Sequence, residues 1–223
     1  MAPSQLTPLQ EKVLEAFFRR EQRFFLTGGA ALAGFHLRHR RTDDLDLFTA
    51  DEPLDEGERS LEAVADELGA ALEPVQRAPD FRRWTLRLDE QFVVVVLVRD
   101  RTPVVAEKLK FGAVRVDSPA EILANKLSTL MSRGEVRDLV DVYFLEKAGF
   151  RTEDAMPMAL RKDASVTPAQ LAWVISQIEI RGQDDQPIAM GRLDQGVPMP
   201  TRRALRVFLS ELGSRLVRLT EPA

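Results

Sequence analysis

The sequence predicts an α+β protein, with a mixed β-sheet flanked by helices in its N-terminal part and only helices in its C-terminal part. Apolar residues recur at helical spacing in residues 7–22, whereas residues 43–48 (DDLDLF) alternate polar and apolar as a half-buried strand does. Strand-like runs continue to residue 98, and only helical patterns follow residue 118. We therefore expect two lobes, residues 1–117 and 118–223, with a cleft between them.

The first helix is predicted from its N-terminal signal. Thr7 precedes Pro8, and Gln10 follows three residues after Thr7, which is a capping box with proline at the first helical position. A short buried strand (RFFLTGG), a helix (AALAGFHLRH) and the strand DDLDLF come next. The amphipathic segment GERSLEAVADELG predicts a helix that ends at Gly69.

Three strands and five helices are predicted for the remainder of the chain. The strands are ALEPVQRA, RRWTLRL and QFVVVVLV, and the helix SPAEILANKLSTLMSR repeats the capping pattern of the first helix. The segment EVRDLVDVYFLEKAG predicts a helix that ends at Gly149. The last three helices are expected at residues 152–161, 167–180 and 201–219.

Composition excludes several classes of protein. With 44% hydrophobic and 30% charged residues among 223, the chain has the composition of a soluble globular protein. A net charge of -4 argues against a general nucleic-acid coat, and the absence of cysteine excludes disulfides and cysteine-based zinc sites. The longest apolar run, FVVVVLV, is too short to span a bilayer, so we expect a cytoplasmic protein without a membrane partner.

Paired glycines stand between the first strand and the second helix. Gly28 and Gly29 allow backbone N–H groups to approach a ligand closely, and a helix that begins there adds a partial positive charge. Together these features favour an anion site, for which phosphate is the usual occupant. Taken alone, however, a Gly-Gly pair is more often an ordinary turn.

Two aspartates follow on the next predicted strand. Because side chains alternate along a strand, Asp44 and Asp46 should share one face, while Leu45 and Leu47 face the core. Neighbouring carboxylates repel each other, and a hard cation such as Mg²⁺ relieves the repulsion. A phosphate site beside a carboxylate metal site indicates phosphoryl or nucleotidyl transfer. The alternative is an exposed strand face without any ligand.

The order of these motifs resembles a known family. The segments TGGAAL…RRTDDLDLF and NKLSTLMSRGEVRDLVDVYFL are similar to those of the AbiEii-type nucleotidyltransferases, in the DNA polymerase β-like superfamily, and the resemblance covers residues 25–145. Such proteins are often the toxins of two-gene toxin–antitoxin or phage-defence systems. The resemblance implies a nucleotidyltransferase-like N-terminal lobe and a helical lobe that completes the nucleotide and acceptor cleft.

The resemblance also implies roles for individual residues. It makes Asp44 and Asp46 the catalytic metal ligands, assigns Lys126 to the nucleotide phosphates and makes Asp138 a further catalytic residue. The other residues that it implies in nucleotide binding are Thr27, Gly28, Gly29, Arg137 and Asp141.

The residues by themselves leave other interpretations open. Arg137 and Asp141 could form a surface ion pair on one helix, and Lys126 could be a solvated lysine. The basic stretch HLRHRR, residues 36–41, could contact a triphosphate or an RNA backbone. It could equally be a solvated helix end whose cations complement the helix dipole.

One position departs from the pattern that the resemblance implies. Catalytic members of the superfamily usually have a third carboxylate on a neighbouring strand, and the aligned residue here is Val96. Asp100 and Asp89 are the nearest carboxylates along the chain. Three outcomes follow: Asp100 or another acid fills the role, the enzyme works with one metal ion and Asp138 as a base, or the protein is a degenerate nucleotide binder.

The leading hypothesis is a Mg²⁺-dependent (or Mn²⁺-dependent) nucleotidyltransferase that moves an NMP from an NTP to an acceptor hydroxyl and releases pyrophosphate. The resemblance implies RNA, especially the tRNA 3′ end, as the acceptor, a toxin role and a cognate antitoxin. The alternatives are a small-molecule nucleotidyltransferase of the aminoglycoside-modifying kind and a non-catalytic nucleotide-binding protein.

Overall fold

The chain forms two compact units, Met1–Ser118 and Pro119–Ala223. The computed structural model describes residues 4–50, 54–103, 106–190, 193 and 196–220. Within this part, the first unit contains a seven-stranded sheet with helices, and the second unit contains five helices and no strand longer than an isolated bridge. The predicted α+β class is therefore confirmed. None of the described helices is long and apolar enough to cross a membrane.

The N-terminal unit matches the predicted order of elements and adds two short strands. Strands β6 and β7 were not predicted, since a run of three residues is too short to show a period of two. The elements are α1 (Pro8–Arg20), β1 (Phe25–Thr27), α2 (Gly28–Ala31), a π-helical turn (Leu32–His36), β2 (Asp44–Thr49), α3 (Leu54–Leu68), β3 (Ala71–Ala78), β4 (Phe81–Leu88), β5 (Gln91–Arg99), β6 (Leu109–Phe111) and β7 (Val114–Val116).

The sheet is mixed, with strand order β3-β4-β5-β2-β1-β7-β6. Strand β2 lies in its middle, antiparallel to β1 and parallel to β5. On one face of β2, Leu45 and Leu47 are fully buried, and helices α1 and α3 pack on the same sheet. Burial of these side chains fixes the register of β2, because a slip by one residue would exchange its apolar and polar faces.

The capping box of α1 is confirmed and reaches further than predicted. The Thr7 hydroxyl accepts a hydrogen bond from the N–H of Gln10, and the Gln10 side-chain oxygen accepts one from the N–H of Thr7 at 2.8 Å. The Gln10 amide also donates to the carbonyl of Thr42 at 2.8 Å. Helix α1 thereby holds the segment that leads into β2.

The C-terminal unit consists of α4 (Pro119–Arg133), α5 (Val136–Lys147), α6 (Thr152–Lys162), α7 (Pro168–Ser176) and α8 (Arg202–Arg218). Helix α7 is shorter than the predicted range, which extended to residue 180. Glu121 is almost fully buried and forms an ion pair with Lys162 at 2.5 Å, which joins α4 to α6. Glu146 and Arg215, 2.6 Å apart, join α5 to α8 in the same way.

Candidate active site

The two aspartates of the sequence motif share one face of β2. Burial alternates along the strand: Asp44 and Asp46 are partly exposed, whereas Leu45 and Leu47 are fully buried. The side chain of Asp44 is 30% exposed. The predicted alternation is confirmed, and the carboxylates stand on the face of the sheet that remains open to a ligand.

The glycine turn lies directly against one of these carboxylates. Gly28 begins α2 with a φ of +65°, a conformation that residues with a side chain rarely adopt. A Cβ atom on Gly28 would lie 2.5 Å from Asp46 Oδ2, which is closer than a real contact allows. The backbone of the turn and the carboxylate therefore meet only because residue 28 has no side chain.

The basic stretch places a buried guanidinium at the same turn. A Cβ atom on Gly29 would lie 2.7 Å from Nη2 of Arg40. Arg40 is 3% exposed, and its Nη1 donates to the carbonyl of Arg41 at 2.8 Å. The π-helical turn ends at His36, before Arg40. The interpretation of this stretch as a solvated helix end is therefore wrong for Arg40.

A buried hydroxyl stands beside the aspartates. Thr27, the last residue of β1, lies opposite Asp46 in the antiparallel β1–β2 pair. Its Oγ1 is buried and has no hydrogen-bond partner within the part of the chain that the structure describes. Buried polar atoms nearly always have a partner, so an unpaired hydroxyl at this position indicates a ligand or a water molecule.

Val96 occupies the place where the third carboxylate was expected. In the parallel β2–β5 pair, Val96 lies opposite Asp46. Asp100 lies beyond the end of β5, and its Oδ1 accepts from the N–H of Thr102 at 2.9 Å. Asp89 lies in the β4–β5 turn at the other end of the strand. Neither acid can take the place of Val96, because four residues of strand span about 13 Å.

The donor set fits one hard cation better than two. Within the described residues, no group of three or more His, Cys, Asp or Glu side chains could hold a metal ion. The interpretation in which Asp100 completes a three-carboxylate site is therefore wrong. Asp44 and Asp46 nevertheless fit one Mg²⁺, which commonly takes one or two protein carboxylates and completes its shell with phosphate oxygens and water.

An arginine that the sequence motif did not indicate contacts the pair. Nη2 of Arg83, on β4, lies 3.8 Å from Asp44 Oδ1, and the arginine side chain is 41% exposed. Its neighbour Arg82 is on the other face of β4, where it contacts Glu58 at 3.5 Å. The alternation of the segment RRWTLRL could have assigned these two arginines to opposite faces of the strand. That Arg83 lies near Asp44, however, follows only from the order of the strands in the sheet.

The second motif block forms a buried ion cluster in the C-terminal unit. Nζ of Lys126, on α4, lies 2.7 Å from Asp138 Oδ1 and 2.7 Å from Asp141 Oδ2, both on α5. The two carboxylates are fully buried, and the Lys126 side chain is 9% exposed. The alternative of a solvated lysine is therefore wrong, and the prediction that Asp138 and Asp141 share a helix face is confirmed.

Arginines complete and border this cluster. Arg133, which the sequence motif did not indicate, donates from Nε to Asp138 Oδ2 at 2.9 Å. Both carboxylate oxygens of Asp138 thus accept hydrogen bonds from cationic side chains, one from Lys126 and one from Arg133. Arg137 is partly exposed and contacts Glu135 at 2.6 Å. Because Asp141 is fully buried, the alternative in which Arg137 and Asp141 form a surface ion pair is wrong.

Comparison with known protein families finds a match over most of the chain. A family model described as "Nucleotidyl transferase AbiEii toxin, Type IV TA system" matches residues 12–189. This range includes both motif blocks and most of the two units. A search of curated proteins finds no match.

Solved structures show the same fold at low sequence identity. One is JHP933 from Helicobacter pylori, which is 19% identical with a TM-score of 0.55 and covers 95% of this chain and 92% of its own. Another is a presumed nucleotidyltransferase from H. pylori, which is 20% identical with a TM-score of 0.56 and covers 96% of both chains. The likeness extends over both units.

Proposed function

Because the chain belongs to the AbiEii nucleotidyltransferase toxin family, we propose that it transfers a nucleoside monophosphate from an NTP to an acceptor hydroxyl. The observation that carries this proposal is the position of Asp44 and Asp46 on the open face of β2, with the Asp46 carboxylate against Gly28. A carboxylate pair beside a glycine turn can serve the metal and the phosphates of one nucleotide.

Asp44 and Asp46 are proposed to hold one Mg²⁺ or Mn²⁺. A cation bound there would offset the charge of the two carboxylates and stabilise the negative charge that develops on the phosphate under attack. The partial exposure of both side chains supports this role, since a cation and a phosphate can reach them without any rearrangement of the core.

The glycine turn is proposed to hold the phosphates of the NTP. Gly28 is partly exposed and its backbone lies against Asp46, and the buried Thr27 hydroxyl can complete its hydrogen bonding with a phosphate oxygen. In the reaction, the acceptor oxygen forms a bond to the α-phosphorus and the bond to pyrophosphate breaks. The hydroxyl proton passes to solvent.

The second motif block is proposed to contribute through its charge. The family resemblance implies that Lys126 contacts the nucleotide phosphates and that Arg137 and Asp141 take part in nucleotide binding. Since both oxygens of Asp138 accept from Lys126 and Arg133, we assign Asp138 to positioning these cations and not to accepting the proton of the acceptor.

RNA, especially the tRNA 3′ end, is the acceptor class that we propose from the family resemblance. Modification of RNA would give the protein its toxin role, and a cognate antitoxin would oppose that role. The reaction would take place in the cytoplasm, where NTPs and RNA are both available.

A second candidate is a nucleotide-binding protein without catalysis. The observation that favours it is Val96, which lies opposite Asp46 where a catalytic carboxylate was expected. Such a protein would bind an NTP and transfer nothing from it, so binding and transfer must be measured separately.

The test incubates purified protein with Mg²⁺, total RNA and each α-labelled NTP in turn. We expect label to enter RNA with the wild type and to fall at least about a hundredfold in an Asp44→Asn/Asp46→Asn variant. The control is Asp100→Asn, which removes a nearby carboxylate that lies outside the site and should transfer label normally. If no label enters RNA with the wild type or with either variant, although the wild type binds NTP, the non-catalytic candidate is favoured.

A further inference from the structure

Arg83 is the only residue of β4 that an ion pair connects to the aspartates, within the residues that the structure describes. Its side chain stands on the same face of the sheet as theirs, since Arg83 lies opposite Val96 and Val96 lies opposite Asp46. The residues Asp46, Val96 and Arg83 thus form one row across β2, β5 and β4. Val96 separates the anion from the cation.

The arginine reaches past its own row to Asp44. Strands β2 and β4 are not neighbours, and two strand spacings amount to about 10 Å. The long arginine side chain spans this distance across β5 and brings Nη2 to 3.8 Å from Asp44 Oδ1. An aspartate or glutamate in place of Val96 would stand between the two groups and compete with Asp44 for the guanidinium.

The charges of the site support a functional reason for this arrangement. Three carboxylates with two divalent cations leave one net positive charge for the triphosphate. Asp44 and Asp46 with one divalent cation and the Arg83 guanidinium leave the same net charge, and Arg40 at the glycine turn adds equally to both counts. Arginine also binds phosphate through its fork of N–H donors, so it can contact the same group that a second cation would contact.

We propose that Arg83 takes the place of a second divalent cation, as a fixed positive charge that holds Asp44 and binds the triphosphate of the nucleotide. This inference rests on the proposed function, because it names a further residue of the same nucleotide site. Val96 is what makes this arrangement possible, since a valine at this position leaves no carboxylate between Arg83 and Asp46 in their shared row.

A half-exposed ion pair contributes little to folding, so Arg83 can be replaced without loss of the fold. The variants are Arg83→Ala, Arg83→Lys and Arg83→Ala/Val96→Asp. The matched control is Arg87→Ala, because Arg87 is on the same strand and the same face, is similarly exposed, and contacts Glu73 at 3.4 Å. Thermal unfolding of each variant verifies the fold.

Two titrations are made without any acceptor. In the first, Mn²⁺ is added to protein with the α,β-methylene analogues of the four NTPs, and electron paramagnetic resonance counts the bound ions. We expect one ion in the wild type and two in Arg83→Ala/Val96→Asp, which has a third carboxylate and lacks the Arg83 guanidinium. Two ions in the wild type would overturn the proposal.

The second titration measures NTP binding in EDTA and Mn²⁺ binding without nucleotide. In Arg83→Ala we expect about tenfold weaker NTP binding, because a charge-assisted hydrogen bond is lost. Mn²⁺ alone should bind Arg83→Ala more tightly than the wild type, since the competing guanidinium is gone. Arg83→Lys should fall between them, because it keeps the charge without the fork of donors.

The controls separate the two proposals. If Arg83→Ala equals Arg87→Ala in both measurements while the wild type binds NTP, the role of Arg83 is wrong and the proposed function stands. If the wild type binds no NTP analogue with or without Mn²⁺, the proposed function itself is contradicted and the role of Arg83 is overturned with it.

Discussion

Asp46 and Val96 lie directly opposite each other on the neighbouring parallel strands β2 and β5. Valine cannot coordinate a cation, so this pairing limits the carboxylates on the open face of β2 and β5 to Asp44 and Asp46 within the described residues. The site that results is asymmetric: a glycine turn and a buried hydroxyl flank the pair on the β1 side, and an arginine flanks it on the β4 side.

Replacement of Gly28 by alanine should damage both the fold and the site. The new Cβ atom would meet the Asp46 carboxylate at 2.5 Å, and the φ of +65° is strained for alanine. We expect a loss of about 2 kcal/mol in the free energy of unfolding, together with loss of NTP binding. Urea denaturation and nucleotide titration measure the two effects.

Gly69→Ala is the control for this variant. Gly69 has the same φ of +65°, and a Cβ atom there would meet nothing within 4 Å. Gly69→Ala should therefore lower the free energy of unfolding only by the backbone strain, about 1 kcal/mol, and should leave NTP binding unchanged. Equal effects of the two variants on NTP binding would show that the contact with Asp46 has no importance for the site.

Replacement of Thr27 by valine should change stability and binding in opposite directions. The Thr27 hydroxyl is buried without a partner among the described residues, so its removal should raise the free energy of unfolding by about 1 kcal/mol. If the hydroxyl binds a phosphate oxygen, NTP affinity should fall about fivefold to tenfold in the same variant. A gain in stability with unchanged NTP affinity would remove Thr27 from the nucleotide site.

Replacement of Lys126 by methionine should destabilise the C-terminal unit strongly. The ammonium group contacts two fully buried carboxylates, and its loss would leave Asp141 and one oxygen of Asp138 without this cation. We expect a loss of about 3 to 5 kcal/mol in urea denaturation. Lys147→Met, at an exposed lysine of α5, should stay within about 0.5 kcal/mol of the wild type.

A triple variant separates stability from catalysis at this cluster. Adding Asp138→Asn and Asp141→Asn to Lys126→Met removes the uncompensated charges, so most of the lost stability should return. Nucleotidyl transfer should remain absent if Lys126 contacts the phosphates. Recovery of transfer together with stability would limit the cluster to a structural role.

His36 should make stability depend on pH near neutrality. Burial lowers the pKa of His36 below its usual value of 6.5, and the carbonyl of Asp117, 2.8 Å from Nε2, opposes this shift in part. In this range the unfolded chain binds more protons than the folded one, so stability rises with pH. The contribution is complete above about pH 6.5 and is lost as the pH falls toward the lower folded pKa.

Urea denaturation at several pH values between about 5 and about 8 measures this dependence. In His36→Gln the slope near pH 6 should decrease, because glutamine does not titrate. Carboxylates with lowered pKa values, such as Asp80 and Glu67, titrate below this range and leave the comparison undisturbed. If the free energy of unfolding depends on pH in the same way in His36→Gln and in the wild type, His36 is not the source of the dependence.

Much of the N-terminal unit could be predicted from sequence because its signals are local. The capping box of α1, the alternation of Asp44 to Leu47 and the glycine turn each depend on residues within a few positions of one another. Backbone sterics and the period of two specify such features wherever the segment lies in the fold. The family resemblance has the same basis, since both motif blocks are short and contiguous.

Contacts between distant segments could be found only in the tertiary structure. The family resemblance indicated Val96, but only the parallel pairing of β2 with β5 places it opposite Asp46. Arg83 belonged to no sequence motif, and Lys126 could have been a solvated lysine. Strand order brings Arg83 to Asp44, and helix packing brings Lys126 to Asp138 and Asp141. The amino-acid sequence alone determined the fold class and the aspartate motif, because these follow from local periodicity. Only the tertiary structure decided which cations lie against the aspartates. These partners come from strands and helices that are far apart in the chain, and their contacts depend on how those elements pair and pack.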